Sequence, residues 1–495
     1  MHVMFVCSEL APLCQSGGLG DATSGLARAL GAVGHEVTVV LPGYRSALRS
    51  GACPRLIDGG PIHLSLGPHS FSGRFLCGTL FPGVEAVLLD VPQLFDRPGL
   101  YGDGTKDYAD NGLRYVALCK AAAYRAEAEH PDVLVAHDWH AALTLPLLRT
   151  ALDRGANRSI GTVQVVHNNA HQGRFPAELM GVTGLAPDLF HVDGLEAWGT
   201  LCLLKGGINW ADRIVAVSPR YARELQTHDF GEGLEGAYRA RAHRLVGVVN
   251  GIDDTRFDPQ NDAALPATFS AEELAGKARC REALLQRCGL DPPAPGLLCV
   301  AIGRLAHQKG WDILVRALDT LVERGASVAL LGDGSPAIAA ALQERHERTP
   351  RQVFFRASYD DALARQMYAG GDLVLVPSRF EPCGLVQLIA QRYGTVPVAH
   401  ATGGLVDTIH DPMAQPARTG TDAFDPWRRA TGVLFSPLSP ENLVLGVERV
   451  HKLAEGGRLP EVQRRLLQLD VSWDGPAQSW AALLQEVVAE ARKRP

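Results

Sequence analysis

The run Ser378-Arg379-Phe380-Glu381-Pro382-Cys383-Gly384-Leu385, followed sixteen residues later by Ala401-Thr402-Gly403-Gly404-Leu405, holds the residue types of a pocket for a sugar and an anion. Glu381 offers a carboxylate to a sugar hydroxyl. Each segment follows a short apolar run, Leu373 to Pro377 and Thr395 to Ala399, that reads as a strand. Loops leaving the carboxyl ends of neighbouring parallel strands converge on a ligand crevice in open α/β sheets. The glycines let backbone N–H groups approach a bound oxygen, and a helix opening at Gly384 would turn its positive end toward that anion. Either segment alone is equally readable as a buried strand followed by an ordinary turn.

The elements that would position such loops alternate along the whole chain. Val3 to Cys7 reads as a strand, followed by a glycine loop, a helix through Leu26-Ala27-Arg28-Ala29-Leu30 and a strand from Glu36 to Leu41. That order is a βαβ unit and implies a parallel sheet. Further strands are readable at 86–89, 133–136, 162–166 and 213–217, and the loops after the last three carry His137, His167 and Ser218. A second series has strands at 297–302, 327–331, 352–355, 373–376 and 396–399. The expected organisation is an α/β chain of two doubly wound domains, 1–245 and 246–477, with a C-terminal helix at 478–495 that can pack back on the first domain. The turn-rich Asn250-Gly251-Ile252-Asp253-Asp254 marks the hinge, and Pro292-Pro293-Ala294-Pro295-Gly296 is a surface loop, because proline cannot join a central ladder.

Bulk properties narrow the function classes. At 495 residues the chain exceeds one ordinary core, since domains average about 150 residues. With 46% apolar and 21% charged residues it is globular throughout. A net charge of −6 gives no general attraction to nucleic acid or to acidic membranes, although a local basic cleft can still hold a phosphate. The ten cysteines include no CxxC pair and read as reduced residues of a cytoplasmic protein. The N-terminus reads as a strand running into a glycine loop, not as a signal peptide, and no apolar run reaches the roughly 18 residues of a membrane span.

The opening run Cys7-Ser8-Glu9-Leu10-Ala11-Pro12-Leu13-Cys14-Gln15-Ser16-Gly17-Gly18-Leu19-Gly20-Asp21 resembles the start of bacterial glycogen and plant starch synthases. The resemblance continues in order through His137-Asp138-Trp139-His140-Ala141, Val166-His167-Asn168-Asn169 with Gln172-Gly173, and Ala216-Val217-Ser218-Pro219. It goes on through Val249-Asn250-Gly251-Ile252-Asp253, Gly303-Arg304-Leu305 with Gln308-Lys309-Gly310, and the two segments first described. Ordered matches over roughly 400 residues are far more specific than a single glycine motif. The resemblance implies the GT-B fold, two Rossmann-like domains with an interdomain cleft. It also implies retaining transfer of glucose from a nucleotide sugar, of ADP-glucose type, to the 4-hydroxyl of an α-1,4-glucan.

That reaction needs cations where the nucleotide diphosphate departs, and Arg304 and Lys309 suit it by type and spacing; a solvated surface pair is the alternative. By the resemblance Glu381 contacts the donor sugar and steadies an oxocarbenium-like state, and His167 reaches its 6-hydroxyl. Asp138 lines the acceptor side. Cys383, Gly384 and Leu385 face the sugar and diphosphate through backbone N–H groups, and Thr402, Gly403 and Gly404 hold the phosphates. Asn250 helps hold donor or acceptor, although an Asn-Gly turn explains it without a ligand. Tyr359 matches an adenine-stacking position, with a core aromatic as the alternative. His137 and His140, at i and i+3, are not read as metal ligands, because no third ligand is evident and the family reaction is metal-free; no cofactor beyond the nucleotide-sugar co-substrate is expected.

One position departs from the family pattern. The loop usually begins Lys-Thr-Gly-Gly, with the lysine binding the donor; here Gln15 stands in its place. Gly17, Gly18, Gly20 and Asp21 are intact and are expected to face the acceptor. The competing readings are a catalytically weakened glucan-binding or regulatory paralogue, and a related glucosyltransferase using UDP-glucose, or using glucose 1-phosphate or a short maltosaccharide as acceptor. The expected partners are thus a nucleotide sugar and a glucan, with no nucleic acid and no membrane; the motifs leave the oligomeric state open.

Overall fold

The computed structural model describes residues 1–153, 159–294, 296–413 and 425–494. Pro295 of the expected loop and Pro495 at the end of the expected C-terminal helix lie outside them. The chain divides into two compact units, Met1–Gly251 with Trp473–Pro495, and Ile252–Ser472.

The first unit is built on a nine-stranded sheet among the described residues. Its strands are β1 (His2–Val6), β2 (Glu36–Pro42), β3 (Ile57–Leu66), β4 (His69–Phe81), β5 (Val84–Asp90), β6 (Val133–His137), β7 (Gly161–Val166), β11 (Arg213–Ala216) and β12 (Leu245–Gly247). A small separate sheet holds β8 (Arg174–Phe175), β9 (Glu196–Ala197) and β10 (Thr200–Cys202). The main order is β12-β11-β7-β6-β1-β2-β5-β4-β3. Pairing is parallel from β12 to β5, and the β3–β4–β5 edge is antiparallel. Val3, Met4, Phe5 and Val6 of β1 are fully buried, as a parallel strand covered on both faces requires. The chain order turns back between β1 and β6, and the loops after these two strands carry the glycine loop and Asp138.

The division falls after Gly251 rather than at 245. Ile214 pairs with Leu245 and Ala216 with Gly247, so hydrogen bonding carries the first sheet past the expected boundary. The return to the first unit likewise starts at Trp473, not at 478. A Cβ on Gly25 would overlap the Trp473 indole, and the helix Asp474–Ala491 lays Val487 against Gly161. Arg492 pairs with Asp132 at 2.6 Å and Arg213 with Glu490, which ties the helix to the strand edge.

The second unit carries β13 (Leu298–Ile302), β14 (Ser327–Gly332), β15 (Val353–Ala357), β16 (Leu373–Val376), β17 (Val396–His400) and β18 (Val433–Phe435). All pair in parallel, in the order β15-β14-β13-β16-β17-β18. Successive residues of β13 alternate between two cores: Cys299 and Ala301 join Leu314, Leu318 and Leu330 on one face, Leu298 and Val300 join Leu331 and Met367 on the other. Each unit is thus a doubly wound, Rossmann-like layer structure. In the second, the order reverses between β13 and β16, the place where such sheets leave a ligand crevice at their carboxyl ends.

Candidate active site

In the second unit, the loops after β13 and β16 are stitched together. Arg379 N–H donates to Gln308 O at 2.8 Å, Gln308 Nε2 to Phe380 O at 3.2 Å, and Arg379 forks onto Asp312 at 2.7 and 2.8 Å. Gly310 sits at φ +67, and a Cβ there would overlap Pro377 O, so only glycine lets the two loops approach this closely. The result is an ion pair, Lys309 Nζ to Glu381 Oε2 at 2.6 Å. Ser378 Oγ donates to the same oxygen at 2.9 Å, and His400 Nδ1 lies 2.8 Å from Ser378 O. Glu381 is buried, so its carboxylate is held by two donors in a poorly solvated site. Arg304 is exposed, and its carbonyl accepts from Trp311 Nε1 at 2.7 Å, which fixes the backbone while leaving the guanidinium outward.

The glycines of the 401–405 segment have a structural reason of their own. Gly404 N–H donates to Glu381 O at 2.9 Å, and a Cβ on Gly403 or Gly404 would overlap the backbone at Glu381 or Cys383. The two opening segments therefore lie in direct backbone contact. The helix after Glu381 begins at Val386, not at Gly384: Gly384 takes φ +79, where an added Cβ would overlap Gln387, and Leu385 is the N-cap. Thr402 is the N-cap of the short helix Gly403–Thr408; its Oγ1 is buried with no hydrogen-bond partner among the described residues. Tyr359 is 76% exposed, which overturns the core-aromatic alternative and leaves its face open to a ligand.

In the first unit, Gln15 is exposed and its Cβ would lie 2.6 Å from a Cβ on Gly20, so the glycine lets the loop close over the first turn of the helix Gly18–Ala32. Gly17 is the N-cap and carries no side-chain cap, and Asp21 lies in the first turn. The residue that holds this loop is Glu9, which the sequence reading did not single out. Its carboxylate accepts from Ser16 N–H (2.7 Å), Ser16 Oγ (2.7 Å), Gly17 N–H (3.3 Å) and Tyr101 OH (2.7 Å). The only local signal was an acidic residue shortly after an apolar strand.

Asp138 follows β6 with φ +55, a left-handed conformation that aspartate tolerates better than most residues. Its Oδ1 accepts from His167 N–H at 2.7 Å and Asn168 N–H at 3.3 Å, pinning the turn after β7. Burial pushes this carboxyl up to about 7, against the two N–H bonds that favour its ionised form. His167 lies with its Nε2 3.0 Å from Nδ1 of His137, the rings stacked at 5.3 Å. Burial holds the His167 imidazole down, to about 3, and His137 well below its usual range, so both rings are neutral. His140 does not share a face with His137: it stacks on Trp139 and Tyr101, with centroids at 4.0 and 4.9 Å. Asn250 is buried at the end of the unit. Among the described residues no helix is long and apolar enough to cross a membrane.

Two doubly wound units, one carrying a buried carboxylate paired with lysine at its switch point, fit the GT-B architecture that the resemblance implies. Residues 2–240 match the model of the starch synthase catalytic domain, and 296–451 that of glycosyl transferases group 1. A glycogen synthase of Rhodopseudomonas palustris is 40% identical over 506 residues, and one of Methylocella silvestris 39% over 503; each comparison covers 99% of both chains. The catalytic domain of starch synthase IV from Arabidopsis thaliana, solved with ADP and acarbose, superposes with a TM-score of 0.88 at 28% identity, covering 99% of both. The chain belongs to the glycogen and starch synthase family, and its activity is that family's glycosyl transfer.

Proposed function

We propose that the chain transfers glucose from ADP-glucose to the non-reducing 4-hydroxyl of an α-1,4-glucan, with retention. The observation that carries this reading is the Lys309–Glu381 pair at 2.6 Å, seated at the switch point of the second unit's sheet beside the exposed Arg304. Arg304 and Lys309 take the diphosphate, and they supply the positive charge that the leaving oxygen needs without a metal or other cofactor. N–H groups of Cys383, Gly384, Leu385, Gly403 and Gly404, with the Thr402 hydroxyl, hold the phosphates and sugar. Tyr359 stacks on the adenine, in keeping with the ADP seen in the plant relative.

Glu381 steadies positive charge at the anomeric carbon, and His167 contacts the 6-hydroxyl. The bond from C1 to the phosphate oxygen breaks, the acceptor O4 bonds to C1 on the same face, and its proton passes to the leaving phosphate. No second carboxylate stands in the 378–385 run, which favours this course over a glucosyl-enzyme. Gln15, Gly17, Gly18, Gly20, Asp21, Asp138 and Asn250 serve donor and acceptor. We place the reaction in the cytoplasm, where the ten buried free thiols stay reduced. Initial rates with ADP- and UDP-glucose against glycogen, maltose and glucose 1-phosphate test the reading. ADP-glucose with glycogen is expected to be fastest; preference for UDP-glucose, or for a small acceptor alone, would overturn it.

A further inference from the structure

We propose that His137 is a positioning residue that fixes the tautomer of His167, so that His167 presents an Nδ1–H donor. The inference deepens the proposed contact of His167 with the transferred glucose and rests on it. His137 is the last residue of β6 and fully buried, packed against Phe5 at 4.8 Å between ring centroids and against His167 at 5.3 Å. Its Nδ1 is 3.0 Å from Nε2 of His167, while its own Nε2 is buried with no hydrogen-bond partner among the described residues.

A neutral imidazole carries one N–H, so two neutral rings joined by one N–H···N bond have two arrangements. If His167 donates from Nε2, then His137 must carry its proton on Nε2, where a buried N–H is left without an acceptor. If His137 donates from Nδ1, only a lone pair is left unpaired at its Nε2. Orphaned buried N–H groups are the rarer omission in folded proteins. The second arrangement therefore holds, and it forces the His167 proton onto Nδ1. None of the described residues bonds that nitrogen, and His167 is only half-buried, so the donor is available to a ligand. A sugar hydroxyl met by a fixed N–H accepts from it and keeps its own proton for another partner.

Nothing in the sequence marks this pairing, because His137 and His167 are thirty residues apart and meet only through the β6–β7 register, in which His137 lies beside Val165. His137 acts through His167 and touches no substrate in this account. His137→Phe keeps the aromatic packing and removes the donor, while His137→Asn places an amide N–H near the Nδ1 position and should restore it.

The test is nitrogen-15 NMR of histidine-labelled full-length protein at neutral pH, with His167 assigned by substitution. In the unaltered protein we expect His167 protonated on Nδ1, in H137F a shift toward the Nε2–H form, and in H137N the original pattern. Protonation of His167 on Nε2 in the unaltered protein would overturn the proposal even if neither variant folds, and so would a tautomer indifferent to H137F. Steady-state rates with ADP-glucose and its 6-deoxy analogue separate this from the underlying reading. H137F should lower kcat/KM about three- to tenfold with ADP-glucose, recover in H137N, and leave the 6-deoxy donor unaffected. Equal losses with both donors would refute the 6-hydroxyl contact, whereas the NMR result decides the tautomer on its own.

Discussion

Replacing Asp138 with asparagine should make the first unit more stable at neutral and alkaline pH, although it removes a carboxylate from the proposed site. The amide oxygen can accept the same bonds from His167 N–H and Asn168 N–H, and asparagine tolerates φ +55 as aspartate does. What disappears is the cost of a buried charge. The folded state raises this carboxyl from an ordinary 3.8 to about 7, chiefly through burial, which corresponds to about 4 kcal/mol between the two protonation states. The sign follows from linkage. Below about 4 the side chain is protonated in both states and costs nothing; between about 4 and 7 the unfolded chain is ionised and folding must take up a proton, at a penalty that grows with pH and levels off above about 7, where the folded state carries the buried charge. D138N should match the unaltered protein near pH 4 and exceed its stability by a margin that grows by about 2–3 kcal/mol between pH 5 and 8. Guanidinium unfolding of the full chain at pH 5, 6, 7 and 8, with amide exchange at 133–167 as the local readout, measures that margin. Parallel pH curves for the two proteins, or a D138N chain less stable at pH 8, would show that the Asp138 carboxyl carries no burial penalty. Transfer activity should fall in D138N, which would mark the ionisable carboxyl as retained for function at the expense of stability.

Three further outcomes follow from the same geometry. Glu381→Gln removes the charge paired with Lys309 and should lower kcat by about 10²–10³ with a smaller change in donor KM, measured by initial rates; an unchanged kcat would remove Glu381 from the chemistry. Gly404→Ala would drive a Cβ into the backbone of Cys383, part the two loops and cost about 1–3 kcal/mol in unfolding experiments, with a loss of activity; wild-type stability and rate would show the loop contact to be dispensable. Gln15 is exposed, so Gln15→Lys should leave the fold alone and lower the donor KM about five- to thirtyfold by adding a charge-assisted bond; an unchanged or higher KM would contradict the lysine's proposed role.

Most of the parallel strands were legible because each is a short apolar run ending at a turn, and the two doubly wound units followed from their alternation with helices; β18, three residues long, gives too short a run to be read. What escaped the sequence reading depends on distant partners. Glu9 is held by Tyr101, 92 residues away, and the β3–β4 hairpin edge, half exposed, lacks the continuous apolar signal of a buried strand. The domain limits shifted because β12 is hydrogen-bonded into the first sheet and Trp473 packs on Gly25, contacts that composition does not mark. Gly403 and Gly404, expected to hold phosphates, are already required, like Gly310, where loop backbones touch. The i, i+3 spacing of His137 and His140 does not bring them onto one element: the first ends a strand and the second lies in the helix Asp138–Ala142.

Retaining transfer from ADP-glucose fixes the anomeric configuration of the first glycosidic bond formed. A single-turnover reaction of ADP-glucose labelled with carbon-13 at C1, with a maltosaccharide acceptor, can be followed by NMR alongside ADP release. A new α-1,4-linked anomeric carbon is expected to appear in step with ADP and to be lost in E381Q; a β linkage, a glucosyl adduct on Glu381, or ADP release without a new glycosidic bond would contradict retaining transfer.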